Sequence, residues 1–383
     1  QHDRQGEAMG PSMAAGRVPG ARTSLQQLLG TGVAVAIMLA LVAAPADAAS
    51  KGCRVANKAT GDTYARLQPA VRAARPGTVL VVRGTCRGST AIGKRLVIRG
   101  EVSARGKPIL HGDQRVRVLL IRAKGDVVLK DLVVRGGRHR SGAGITNRGE
   151  LDLRNVAIRA NESYGIHNRG VLRTWGATRV SRNDRGIRNR SRLVLRGSTS
   201  ITGNRYTAVW NEGTLVMRGT SGIGRNCWEA RRVTCAGGIH NKGTVVMNDK
   251  SSISDGVAPG VNNITPGSVL VMNDSSSIHH NRIDGGVVTI GVLTMNDSSS
   301  IHHNGWDADE SSQNWAGGVG TDGGTVTMND SSSIHHNSAT GGTVAPGGLG
   351  VVGATTLVGV RCAPHQDANV YGNSPGNCFV FEE

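Results

Sequence analysis

The sequence predicts an all-β protein, a right-handed parallel β-helix of stacked coils with a short N-terminal capping α-helix. Three observations carry that expectation. A Gly-Ile-x-Asn motif or a close variant starts at Gly144, Gly165, Gly186, Ala208, Gly238 and Gly260, in steps of 21, 21, 22, 30 and 22 residues. A second anchor, Ile or Val followed by two or three residues and then Asn, recurs with Asn161, Asn183, Asn204, Asn226, Asn281, Asn304 and Asn337. Between the anchors apolar residues alternate with polar ones, as in Leu151-Asp152-Leu153-Arg154, which is the period of a strand and not of a helix. A fixed period of about 22 residues with two corners is the signature of a solenoid whose coils share one core.

Composition agrees. The 383 residues include 55 Gly but only 11 Phe, Trp and Tyr together, too few large rings for a globular aromatic core. Coils stacked about 4.8 Å apart bring equivalent Asn residues into columns, where each amide can bond the coil above and below. The Asn columns are therefore expected to be structural.

The beginning of the chain reads differently. Arg17 and Arg22, the apolar run from Val33 to Ala44 and the Ala46-Asp47-Ala48 site together resemble an export signal. Twelve apolar residues are too few to span a bilayer core of about 30 Å, so a membrane anchor is disfavoured. The expected organisation is an upstream segment and signal peptide over 1–48, a cap with the first coils over 49–100, coils over 101–378 and a tail over 379–383. The mature protein is expected to be secreted, without a membrane span, and monomeric. Six cysteines suit an oxidising exterior, and their spacing suggests the pairs Cys53 with Cys86, Cys227 with Cys235, and Cys362 with Cys378.

Residues 62–84 supply the cap. Asp62 and Thr63 are candidate N-caps, Leu67, Ala70, Val71 and Ala74 form one helical stripe, Pro76 and Gly77 end it, and Thr78 to Val82 is rich in β-branched residues. The cap segment LQPAVRAARPGTVLVVRG, followed by Val97-Ile98-Arg99-Gly100 and the Gly-Gly-Ile-x-Asn repeats, resembles the pectate-lyase-like right-handed β-helix superfamily. The pairing of Gly237-Gly238-Ile239-His240-Asn241 with Ile278-His279-His280-Asn281 also resembles the repeats of polymorphic outer-membrane proteins. The first resemblance implies the β-helix fold and, in some members, pectate lyase or polygalacturonase activity. The Asp clusters of polygalacturonases and the calcium-binding acidic cluster of pectate lyases have no matching motif here, so the resemblance does not choose an activity.

Charge does divide the chain. Residues 51–240 hold 38 Lys and Arg against 11 Asp and Glu, while 241–383 hold 4 against 13. In the basic half Arg154, Arg173, Arg196 and Arg218 are expected at equivalent outward positions, a self-repelling column that would favour a polyanion laid along it. Two insertions lengthen the regular coil at the same corner. One carries Trp228, Arg231 and Arg232; the other carries Trp306, Asp307, Asp309, Glu310 and Trp315. They are expected to flank a trough suited to sugar rings. Three near-identical MNDSSSIHHN copies, with a degenerate fourth, align Asp249, Asp274, Asp297 and Asp330 as candidate calcium ligands. The same copies align His279, His302 and His335 as candidate transition-metal ligands; recent duplication explains the identity without a metal, and no cofactor is otherwise expected.

The sequence therefore points first to binding of an anionic polysaccharide or cell-envelope polymer. Alternatives are a polysaccharide lyase or glycoside hydrolase, and a structural or adhesive rod. Nucleic acid is disfavoured because aromatic residues do not interleave with the basic run in sequence.

Overall fold

The computed structural model describes residues 52–227, 237–283, 285–307, 316–340, 346–364, 367–374 and 376–380. The chain divides into Gln1–Ala48 and Ala49–Glu383. The candidate signal segment lies outside the described residues. In the second unit the alternating runs form strands that pair in parallel with the equivalent run one coil later, giving sheets of 14, 12 and 12 strands. The chain visits the three sheets in turn, twelve times, which is a parallel β-helix. In the fourth coil, for example, Glu150–Arg154, Ala157–Arg159 and Tyr164–Asn168 lie in the first, second and third sheets.

The N-terminal end is closed by three elements. Strands Arg54–Asn57 and Thr63–Tyr64 add to the first sheet in antiparallel fashion. Helix Leu67–Ala73 packs its Leu67, Ala70 and Val71 side onto the core. Asp62 and Thr63 are not its N-caps: the helix begins at Leu67, Arg66 occupies the cap without a side-chain bond, and Thr63 is already in a strand. The expected exit holds, since Ala74 is extended and Pro76 restricts the residue before it. Disulfides join Cys53 to Cys86 and Cys362 to Cys378. Cys227 is also disulfide-bonded, and Cys235 lies outside the described residues.

Inside, the columns are continuous. Val134, Ile158, Val180, Ile201, Ile223, Ile253, Ile278, Ile301 and Ile334 fill the second sheet's inner face, and Met217, Met247, Met272, Met295 and Met328 stack below the first. Stacked coils of one register leave no freedom for a wider side chain where two turns touch. A Cβ at Gly243 would lie 2.2 Å from the carbonyl oxygen of Gly213.

Two Asn ladders line the corners. In the first, Asn147 donates to Asn168 (2.8 Å), Asn168 to Asn189 (2.8 Å), Asn189 to Asn211 (2.7 Å), Asn211 to Asn241 (2.8 Å) and Asn241 to Asn263 (2.7 Å). The second links Asn161, Asn183, Asn204 and Asn226, and again Asn281, Asn304, Asn337 and Asn373, at 2.9–3.0 Å. All the linked Asn side chains except Asn373 are buried. The residue before each second-ladder Asn turns the chain with positive φ, as at Ala160 (51°), Arg182 (54°) and His303 (53°).

Asn189→Leu removes a donor to Asn211 and Thr214 and the acceptor of Asn168, orphaning buried groups that cost about 1 to 3 kcal/mol each. Chemical denaturation should show a loss of about 3 kcal/mol, and hydrogen exchange should place the loosening in coils four to seven. A neutral substitution would contradict the ladder's role.

Candidate polyanion-binding face

The register of the first sheet decides which cations share a column. Arg99 pairs with Lys130, Lys130 with Arg154, and Arg154 with Trp175. Because Arg173 pairs with Val194 and Leu195 with Met217, the residues that come next put Trp175 beside Arg196 and Arg196 beside Arg218. One edge of the sheet thus carries Arg99, Lys130, Arg154, Trp175, Arg196 and Arg218 in six successive coils. The expected column exists with one correction. Arg173 lies two residues earlier, beside Asp152, and bonds Glu150 at 3.0 Å and Asp152 at 3.3 Å. Strand alternation gives Arg173 the correct face but not the correct column.

Arg99, Lys130, Arg154 and Arg218 are exposed. Their compensation is slight. Arg154 approaches Asp152 only at 3.8 Å, and neither Lys130 nor Arg218 has an ion-pair partner among the described residues. The Arg196 guanidinium lies 4.5 Å over the Trp175 ring, and the buried Nε of Arg196 and Nε1 of Trp175 have no hydrogen-bond acceptor among the described residues.

The same column changes character in coil eight. Met217 pairs with Met247 and so on up the stack, so the next positions are Asn248, Asn273, Asn296 and Asn329. These amides bond one another at 3.0, 2.7 and 2.8 Å. The column is satisfied from within in coils eight to eleven and carries largely unpaired cations in coils two to four, six and seven, with Trp175 in coil five.

Beside the amides run the aligned Asp residues. The Asp249 carboxylate accepts the Gly219 N–H at 2.8 Å, and Asp274, Asp297 and Asp330 accept from Asp249, Asp274 and Asp297 at 2.8, 2.9 and 3.1 Å. With φ between 53° and 57° these four form a turn ladder, a backbone role that the calcium expectation did not foresee. Among the described residues no group of three or more His, Cys, Asp and Glu is placed to hold a metal ion.

His279, His302 and His335 stack with centroids 5.1 Å apart, and Tyr371 continues the stack at 5.2 Å. A second stack, His280, His303 and His336, stands beside it at 5.3 Å spacing. Only the first is expected from the sequence. The doublets are the signal for the second, but alternation assigns the second His no partner column, because it sits on the left-handed turn where alternation stops. Burial and then the neighbouring imidazoles push His302 down to about 4.

The insertions leave the expected corner. The seventh coil is interrupted between Gly222–Gly224 and Ile239–Asn241, and the tenth between Ser300–His302 and Val319–Asp322, both on the passage from second to third sheet. Trp228, Arg231, Arg232, Asp309, Glu310 and Trp315 lie outside the described residues. Trp306 is described and corrects its expectation. It sits in Gly305–Asp307, the strand that also holds Asp307, and is only 3% exposed, so it offers no open face to a sugar. That strand pairs with Ser338–Thr340 from an insertion in the eleventh coil, which the long interval from Asn337 to Gly347 could have revealed.

Aromatic and basic groups do interleave in space. Arg185 lies 5.7 Å and 5.2 Å from the Tyr164 and Tyr206 rings, and on the third sheet Trp210 packs against His240 at 3.9 Å. Guanidinium groups lie over the Tyr164, Tyr206 and Trp175 rings.

No family model and no curated protein matches the chain. Among solved structures it is similar to full-length tailspike protein 2 of an Escherichia coli bacteriophage, with 12% identity, a TM-score of 0.44 and coverage of 77% of this chain and 41% of that one. It is also similar to the enzymatically active domain of tailspike protein 2 of bacteriophage CBA120, with 10% identity, a TM-score of 0.45 and coverage of 82% and 48%. The chain spans less than half the length of either. No helix among the described residues is long and apolar enough to cross a membrane.

The imidazole stacks carry a pH prediction. A His whose folded pKa is depressed from 6.5 to about 4 binds fewer protons folded than unfolded between those values, so acid favours unfolding there. The melting temperature should fall as pH drops from about 6.5 towards 4, and His302→Gln should flatten that fall. Identical pH profiles for both proteins would refute the account.

Proposed function

We propose that the protein is an exported β-helix that binds an anionic polysaccharide or cell-envelope polymer along the edge marked by Arg99, Lys130, Arg154, Arg196 and Arg218. The observation that carries this reading is the change within one column, from internally bonded amides in coils eight to eleven to largely unpaired cations in coils two to four, six and seven. Coils about 4.8 Å apart hold these charges in a straight row, and the row's self-repulsion is relieved when an extended polyanion lies on it. Arg suits sulfate, phosphate and carboxylate groups because its planar fork donates in pairs. Trp175 sits in the middle of the row as a support for the Arg196 guanidinium, which lies 4.5 Å over its ring.

The different surroundings of Arg173 supply the control. Arg154→Gln, Arg196→Gln and Arg218→Gln together should weaken binding to heparin or teichoic acid about tenfold, at about 0.5 kcal/mol for each charge removed, and reduce its dependence on salt. Arg173→Gln, whose charge is already spent on Glu150 and Asp152, should change affinity less than about twofold. Unchanged affinity in the triple variant, or an equal loss from Arg173→Gln, would overturn the proposal. Reducing ends released during the same incubation would show that binding is accompanied by cleavage.

A further inference from the structure

The paired His stacks at the other end of the rod have no part in the polyanion reading. In each of coils nine, ten and eleven, a half-buried His at the end of a second-sheet strand is followed by an exposed His on the turn: His279 and His280, His302 and His303, His335 and His336. The turn residues hold φ of 55°, 53° and 51°, which swings each second ring back against the first. The two rings of a pair meet nearly at right angles, 87°, 87° and 89°, with their Nδ1 atoms facing at 2.8, 2.9 and 2.7 Å. Stacking against the coils above and below fixes each ring in turn, at interplanar angles of 6° to 11°.

We propose that these three pairs form a binding array for borderline transition-metal ions, Cu2+, Ni2+ or Zn2+, each ion held by two facing Nδ1 atoms and completed by water. Two Nδ1 lone pairs cannot point at each other across hydrogen-bond distance unless one ring carries the proton between them. An ion replaces that proton without net loss, since the protonated ring shifts its hydrogen to Nε2. Metal–nitrogen bonds of about 2.0 Å at a tetrahedral angle need the two nitrogens about 3.3 Å apart, a widening of about half an ångström that small side-chain rotations supply. Imidazole pairs suit Cu2+, Ni2+ and Zn2+ and not Ca2+ or Mg2+, which want oxygen ligands. The groups around the array are few. Asp255 stands on the turn one coil before His280, Ser254 precedes His279 in register, and Tyr371 closes the far end beside His335. Neutral rings are the ligating form.

The array also sets a stoichiometry. Adjacent pairs are about 5.1 Å apart, so divalent ions on neighbouring pairs repel strongly, even with screening by salt. The two end pairs should fill first and the middle pair about tenfold or more weakly, giving close to two ions per chain at moderate metal concentration.

Equilibrium dialysis of the full chain against Cu2+, Ni2+, Zn2+ and Ca2+ tests this. Saturable uptake of close to two ions is expected, with Cu2+ tightest and no comparable uptake of Ca2+. Uptake should fall as the pH is lowered and protons compete for the imidazole nitrogens. Replacing the turn residues by His280→Asn, His303→Asn and His336→Asn keeps a side chain that tolerates left-handed backbone and should weaken uptake at least about tenfold. His280→Asn alone removes one end pair and should lower the stoichiometry towards one, which tests the array even if the triple variant does not fold. Absence of saturable uptake, equal uptake by the His280→Asn protein, or Ca2+ binding as tight as Cu2+ would overturn the inference.

Discussion

The structure depends on one constraint, the in-register stacking of buried Asn amides at the corners of coils three to twelve. Each Asn presents a donor upward and an acceptor downward, so a ladder is satisfied only if successive coils share one register. Asn189 shows how tightly this binds the architecture: its Nδ2 meets Asn211, Ser191 and Thr214 while its carbonyl oxygen accepts from Asn168. A slip of one residue would send the ladder outward and the Ile column with it. Everything else inherits that register, from the methionine stack inside to the charge columns outside.

Inheritance of register gives the surface its unusual property, that a side chain chosen once per coil becomes a line. Where the chain repeats Asn in the column, as from Asn248 to Asn329, the line is a closed hydrogen-bonded rail. Where it repeats Arg and Lys, like charges stand at coil spacing with few acids within reach, and the protein holds a potential it does not itself relieve. Where it repeats His doublets, the line is a double stack of imidazoles, in which burial and then the neighbouring rings push His302 down to about 4. A basic N-terminal half and an acidic C-terminal half in sequence thus become two chemically distinct stretches of one rod.

The fold is legible in the sequence because its determinants are periodic: Gly144 to Gly260 and Asn161 to Asn337 mark corners about one coil apart, and the period-two runs between them are strands. The methionine stack follows from the same counting. Counting fails where the period breaks locally. Arg173 and Arg154 share a strand face, but only the number of residues from each corner tells that Trp175 takes Arg154's column. His280, His303 and His336 occupy left-handed turns, outside the alternation that predicts their neighbours. Asp62 and Thr63 have ordinary capping chemistry, yet an antiparallel strand pairing claims Thr63 first and the helix starts later. Insertions usually face solvent, which makes Trp306 look open. Here the inserted strand Gly305–Asp307 is joined by another, Ser338–Thr340, and the ring is buried.

The central claim is that the cationic stretch of the first-sheet edge, and not the charged surface in general, receives the polyanion. Hydrogen exchange of backbone amides with and without a saturating anionic polysaccharide measures this most directly. The account predicts added protection at the strand ends around Lys130, Arg154, Trp175, Arg196 and Arg218, fading where the column becomes Asn248 to Asn329. Protection spread evenly along the rod, or centred on the Asn rail or on the third sheet, would contradict it.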